Sequence, residues 1–167
     1  MQHRGITLAI AAALVTIVAC SSTTDSVSKI VTFKATMNGA GEVPANSTTG
    51  AGTFTATLDT STNVFTYDIA FSGLTSNVVA GHIHGPAAAT ATSGTTINFV
   101  SLAGATFSVG ATSGTGHGVA TLSAANPITA TISGDSLKKL LFSGLTYVNV
   151  HTTNNPGGEI RGQISKQ

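Results

Sequence analysis

The feature that most limits what this chain can fold into is a two-residue alternation that starts at Ile30 and returns in segment after segment. Val31, Phe33, Ala35 and Met37 fall on one side, with Thr32, Lys34, Thr36 and Asn38 on the other. Successive strand side chains point to opposite faces, so this spacing predicts a strand with one buried face. Phe54, Ala56 and Leu58 repeat the pattern. After the turn Asp59-Thr60-Ser61-Thr62-Asn63 it continues through Phe65, Tyr67, Ile69 and Phe71, which predicts a hairpin. Further strands are expected over 77–84, 96–102, 105–109, 117–122, 128–132, 145–151 and 158–165. Only Ser133 to Phe142 has helical spacing, with Leu137, Leu140 and Leu141 on one side and Ser133 or Asp135 as cap. About nine short strands with turns every eight to twelve residues predict an all-β fold. The expected form is an antiparallel immunoglobulin-like sandwich or Greek-key barrel with one short helix.

Charge sets limits on function. Charged residues make up 8% of the chain, against roughly a quarter in an average soluble domain. Seven Lys and Arg balance six Asp and Glu, and the only adjacent basic pair is Lys138-Lys139. No basic stripe is available to hold a phosphate backbone, so nucleic acid is not an expected partner. The chain also lacks a Gly-x-Ser-x-Gly elbow, a phosphate loop and a His-Glu-x-x-His motif. No nucleophile stands out, and the reading leans away from an enzyme.

Residues 1–19 carry one firm positive charge at Arg4 and then a largely apolar run from Ile6 to Ala19. That run has the length of a signal-peptide core and is short for a membrane span. Ile17-Val18-Ala19-Cys20 resembles the bacterial lipobox, which implies cleavage before Cys20 and lipidation at it. Cys20 is the single cysteine, so no disulfide can form within the chain. The expected organisation is a lipoprotein signal peptide over 1–19, a flexible Ser/Thr-rich tether over 20–29 and one domain over 30–165. Acyl chains at Cys20 would make the membrane a partner. The expected location is the cell envelope, at the outer membrane if the cell has two, because Ser21 resembles the residue that follows the cysteine in lipoproteins sent there.

Four histidines lie in the domain: His82, His84, His117 and His151. On a strand, His82 and His84 share a face, with Val79, Gly81 and Ile83 on the other. In the late strand Val148 and Val150 point inward, which puts Tyr147, Asn149 and His151 outward. His82, His84 and His151 are therefore expected on the outer face of the barrel, where they converge if their strands are neighbours. Imidazole is the commonest protein metal ligand, and three histidines with an open position suit copper or zinc. The other reading is structural, with each ring pegged to a loop carbonyl. Acidic candidates to orient such ligands are few, namely Asp68 and Glu159. Glu159 and Arg161 lie two apart on the last strand's outer face, where they either orient His151 or bind a partner's polar group, with Asn149 in the same candidate role on its own strand, or else form an exposed pair. His117, between two glycines, reads as a solvated loop residue at a strand start. Phe71-Ser72-Gly73-Leu74-Thr75 recurs as Phe142-Ser143-Gly144-Leu145-Thr146, which raises the reading of two duplicated corners.

Four ordered motifs carry a family resemblance. They are Gly39-Ala40-Gly41-Glu42-Val43-Pro44; the strand Gly52-Thr53-Phe54-Thr55-Ala56-Thr57-Leu58; Ala80-Gly81-His82-Ile83-His84-Gly85-Pro86-Ala87; and Tyr147 to Thr152 with Asn155 to Ile164. Together they resemble the CHRD (chordin) domain, from about Ile30 to Ile164. The resemblance implies an all-β, immunoglobulin-like or barrel domain found in bacterial exported proteins and in chordin, an extracellular antagonist. It does not imply an activity. The His-x-His strand, the Val-x-Val-His strand and the closing Gly-rich turn also look like the copper half of Cu,Zn superoxide dismutase, without that enzyme's zinc-loop histidines or paired cysteines. The expectation is an exported, lipid-anchored CHRD binding module whose loops at one end of the barrel contact an extracellular or periplasmic protein. The alternative is a copper- or zinc-binding protein using His82, His84 and His151, storing the ion or doing redox chemistry.

Overall fold

In the computed structural model of the chain, residues 29–124, 127–129 and 132–167 are described. Cys20, the leader and all of the tether except Lys29 lie outside them. The alternation seen in the sequence becomes a meander of β1 (Ile30–Asn38), β2 (Ala51–Asp59) and β3 (Val64–Ser72). These pair antiparallel along their whole lengths, from Ile30↔Asp59 to Asn38↔Ala51 and from Ala51↔Ser72 to Asp59↔Val64. The β2–β3 turn closes because the Asp59 carboxylate accepts the Ser61 N–H (2.8 Å) and hydroxyl (2.6 Å). Asn63 takes a left-handed φ of +61°, a conformation Asn tolerates.

The remaining elements are β4 (Val78–His84), β5 (Thr95–Asn98), β6 (Thr106–Phe107), β7 (Gly114–Thr121), β8 (Pro127–Thr129), β9 (Ile132–Ser133), α1 (Gly134–Phe142), β10 (Tyr147–Thr152), β11 (Ile160–Gln163) and β12 (Ser165–Lys166). The main sheet runs β5-β4-β10-β11-β1-β2-β3-β7-β6, with β12 also on β1. The last long strands thus insert between β1 and β4, a non-sequential order of the Greek-key kind. The sheet curls until its far sides meet: the Val78 N–H donates to Ala111 O (2.9 Å) and Gly110 N–H to Val78 O (2.8 Å). All-β with one short helix holds as expected, in the form of one curled, seamed sheet.

The core is the inner face of that curl. Phe33, Phe54, Phe65, Tyr67, Phe99, Ile83, Val148 and Val150 are all buried there, each contributing about 1.5–3 kcal/mol of apolar transfer. Helix α1 plugs one end. Ser133 caps it by accepting the Ser136 N–H (3.2 Å), and Leu137 and Leu141 point into the core. Leu140 is only partly buried.

Several sequence expectations change. Strand β5 stops at Asn98, whose side chain accepts the Val100 N–H (2.9 Å) and turns the chain before Phe99 drops into the core. Strand β6 keeps only two residues of the expected 105–109. The expected strand 128–132 is two short strands, β8 and β9, paired with each other. Val79 does not face the core: the β4–β10 register shifts between Ala80↔His151 and Val78↔Thr152, which buries Val78 and leaves Val79 exposed. The repeated five residues share a turn, with Gly73 at φ +68° and Gly144 at φ +65°. One copy leaves a strand and the other a helix, so the echo is one of turn conformation.

Gly81 immediately precedes His82 on β4, opposite Val150, and is buried on the core side. A Cβ there would collide with the Phe107 ring and meet Phe99 at 2.9 Å. Gly81→Ala should destabilise the protein by about 1–3 kcal/mol through overpacking, read from the urea midpoint.

Candidate metal centre

Strands β4, β10 and β11 lie side by side, which brings the histidine strands together. Tyr147 pairs with His84 on one flank and Gln163 on the other; Asn149 pairs with His82 and Arg161. Directly opposed residues share a face, so the face away from the core is an unbroken polar patch of His82, His84, Tyr147, Asn149, His151, Arg161 and Gln163. The alternation of β10 makes this possible, because Val148 and Val150 take the core side.

This patch is not the solvated outer surface that the alternation implies. His84, His151, Asn149 and Arg161 are buried, and His82 is only partly open. Two loops fold back over it. The 85–94 loop crosses from β4 to β5 and places its carbonyls against the patch. Arg161 Nη2 reaches Ala91 O (2.8 Å), Ala88 O (3.2 Å) and Ala89 O (3.4 Å), and Gln163 Nε2 donates to Ala87 O (2.9 Å). The 153–158 turn covers the other end. Apolar alternation gives the direction of a side chain but not what a later loop lays over it.

Within the patch the histidines converge. His82 Nδ1 and His151 Nε2 are 2.9 Å apart. One candidate ligand atom from each of His82, His84 and His151 lies within 4.8 Å of the others. His84 Nδ1 contacts Ser93 O (2.9 Å) and His151 Nδ1 contacts Pro156 O (3.0 Å). A carbonyl can only accept, so in both rings Nδ1 carries the proton and Nε2 presents its lone pair. His84 Nε2 is buried and makes no well-formed hydrogen bond, with the Asn149 side chain beside the ring. Both pegs that the structural reading expects are thus present, and they leave His151 Nε2 against His82 Nδ1 and His84 Nε2 without a hydrogen bond of its own. A tetrahedral ion at about 2.0–2.1 Å from each of three nitrogens would set them about 3.4 Å apart.

Electrostatics favour free lone pairs. Burial, aided by the neighbouring His151 and His84, lowers the His82 pKa to about 4. Burial also lowers His84 and His151, against the pull of their carbonyl partners. All three rings are therefore neutral at pH 7, the state a metal needs.

The other sequence candidates separate. Arg161 lies 3.5 Å over the Tyr147 ring, and His84 stacks on the same ring with centroids 4.8 Å apart at 5°. Glu159 is fully buried, and its carboxylate hydrogen-bonds threonines, not a histidine. Its Oε1 accepts from the Thr48 hydroxyl (2.7 Å) and Thr75 N–H (2.7 Å), and its Oε2 from the Thr152 hydroxyl (2.6 Å). Burial alone would raise its pKa, but these bonds win and hold it lowered. Glu159 and Arg161 are thus neither an exposed pair nor direct partners of His151. Asp68 lies elsewhere, paired with His117 across β3 and β7 (2.9 Å), both exposed. His117 falls inside β7 and not at a strand start.

Glu42 escaped the sequence reading. It follows a single 3-10 turn at Gly39–Gly41, is 7% exposed, and packs beside Asn149 and Arg161. Burial raises its pKa to about 7, against the lowering by Arg161 and Asn149. One available signal was a carboxylate inside a Gly-rich turn of an almost uncharged chain. Five of the seven buried polar atoms without a hydrogen-bond partner among the described residues belong to this patch or lie over it: Glu42 Oε1, His84 Nε2, Asn149 Oδ1, Arg161 Nη1 and Gln163 Oε1. Such atoms are rare in native proteins and call for a partner, whether an ordered water, an ion or a ligand.

A family model described as CHRD domain matches residues 33–164. No curated protein and no solved structure matches the chain.

The shifts give the pH response a sign. Between pH 6.5 and about 4 the unfolded His82 binds a proton that the folded one rejects, so its contribution to stability is lost as pH falls through that window. Glu42 opposes it: from about 7 down to 4.5 the folded carboxyl binds a proton the unfolded one does not. Glu42→Gln should therefore lose stability more steeply on acidification from pH 7 to 4.5 than the natural chain, measured by urea unfolding of metal-free protein at each pH.

Proposed function

The chain belongs to the CHRD domain family, and from that premise we propose that it is a binding module that holds one copper or zinc ion on His82, His84 and His151. The observation that carries the reading is the paired pegging of His84 and His151. Each ring gives its Nδ1–H to a backbone carbonyl and turns Nε2 into a shared space. Ligating histidines characteristically donate their second nitrogen in this way, which fixes the tautomer and raises ligand basicity. Three imidazoles without thiolate or carboxylate suit copper and zinc and give no reason for calcium or magnesium. His82, the partly open member, is the side from which an ion enters.

The module is read as exported and lipid-anchored to the cell envelope through Cys20, at the outer membrane where a cell has two. One structural feature supports that arrangement. The tether joins at Lys29, at the start of β1, whereas Arg161 of the centre pairs with Asn38 at the far end of that strand. At about 3.3 Å per residue this puts roughly 25 Å of strand between them. The 39–46 and 153–158 loops, at the Asn38 end of the sheet, are then presented away from the membrane, toward an extracellular or periplasmic protein partner.

Two experiments test this. Untagged protein titrated with Zn2+ and Cu2+ in a calorimeter should take up one equivalent. His84→Ala and His151→Ala should each weaken uptake at least tenfold; absence of uptake, or uptake unchanged in both variants, overturns the metal reading. Cys20→Ala should move the protein from the membrane fraction to the soluble one, and its staying in the membrane fraction contradicts the anchor.

A further inference from the structure

Two buried charges flank the centre without touching a ligand. Glu159 closes the base of the 152–159 turn. Its Oε2 takes the Thr152 hydroxyl (2.6 Å) and its own N–H donates to Val150 O (2.8 Å). Its Oε1 takes the Thr75 N–H (2.7 Å), and Thr75 Oγ1 in turn accepts from Asn155 Nδ2 (3.2 Å) inside the turn. The turn so fixed carries Pro156, whose carbonyl holds His151 Nδ1. Arg161 does the same for the other loop. Its Nη2 gathers the carbonyls of Ala88, Ala89 and Ala91, just before Ser93, whose carbonyl holds His84 Nδ1. The stack of Arg161 on Tyr147 and Tyr147 on His84 adds a second link, and the Ser93 N–H reaches Tyr147 Oη (3.3 Å).

We infer that Glu159 and Arg161 are positioning residues that set the tautomers of His151 and His84 respectively, each by pinning the loop that supplies that histidine's carbonyl. This rests on the metal-binding reading for its consequence but not for its geometry. A buried carboxylate or guanidinium left unpaired is costly, so each charge holds its loop more firmly than neutral bonds would. Both residues sit at the start of the β11 segment, within three positions of each other and on opposite errands.

The test reads the two histidines separately. In metal-free natural protein, 15N spectra should show Nδ1 protonated and Nε2 bare in both His84 and His151. Glu159→Gln should turn His151 into a tautomer mixture and leave His84 unmoved; Arg161→Met should do the reverse. Each should weaken metal binding by about 10–100-fold. Thr152→Val, which removes one hydroxyl from Glu159, and Arg161→Lys, which loses the planar fork, carry the same test where the first variants fail to fold. Tautomers that stay fixed in all variants, or change equally in both rings, overturn the assignment. Selective tautomer changes in a protein that takes up no metal leave the positioning standing and remove the metal reading.

Discussion

Everything distinctive about this molecule follows from burying a polar sheet face. The strands β4, β10 and β11 turn three imidazoles, an asparagine, a guanidinium and a glutamine away from the core, and the structure then covers them. A buried polar group without a partner costs about 1–3 kcal/mol, so the covering loops must arrive with acceptors aimed inward. They do so with backbone carbonyls: Ala87, Ala88, Ala91 and Ser93 from one loop and Pro156 from the other. That requirement fits the 85–94 loop, rich in Ala and Gly, whose small side chains let the backbone come close.

The same constraint produces the chemistry. Once a carbonyl has claimed Nδ1 of His84 and of His151, each ring has one nitrogen left, and that nitrogen is unprotonated at pH 7. At 2.9 Å, His151 Nε2 accepts a hydrogen bond from His82 Nδ1–H. His84 Nε2 has no such relief. A cation shared by the three rings, as proposed, would satisfy all of them at once. The two charges that stabilise the covering loops, Glu159 and Arg161, are held by threonine hydroxyls, a backbone amide and backbone carbonyls, so they leave the imidazoles free.

Much of the fold was legible in the sequence because period-two alternation is a local signal. Phe33, Ala35 and Met37, or Phe65, Tyr67 and Ile69, point inward whatever their neighbours do. The adjacency of His82–His84 with His151 was not legible, since it depends on β10 and β11 inserting beside β4. Burial of the patch was missed for a related reason: the loops that cover it have no periodicity to read. Val79 was misplaced because a register shift reverses faces on one strand, and neither propensity nor pattern marks it. Glu159 and Arg161 were singled out as a pair from their spacing, yet they act on different loops. Only the positions of Thr48, Thr75, Thr152 and the 85–94 carbonyls reveal that.

The central claim, that three imidazoles share one ion, is tested most directly by X-ray absorption at the metal edge of protein loaded with one equivalent of zinc or copper. The expected spectrum shows three imidazole nitrogens at about 2.0 Å with the outer-shell scattering of histidine rings. A coordination shell of oxygen alone, or one with a single imidazole, would contradict a shared site on His82, His84 and His151.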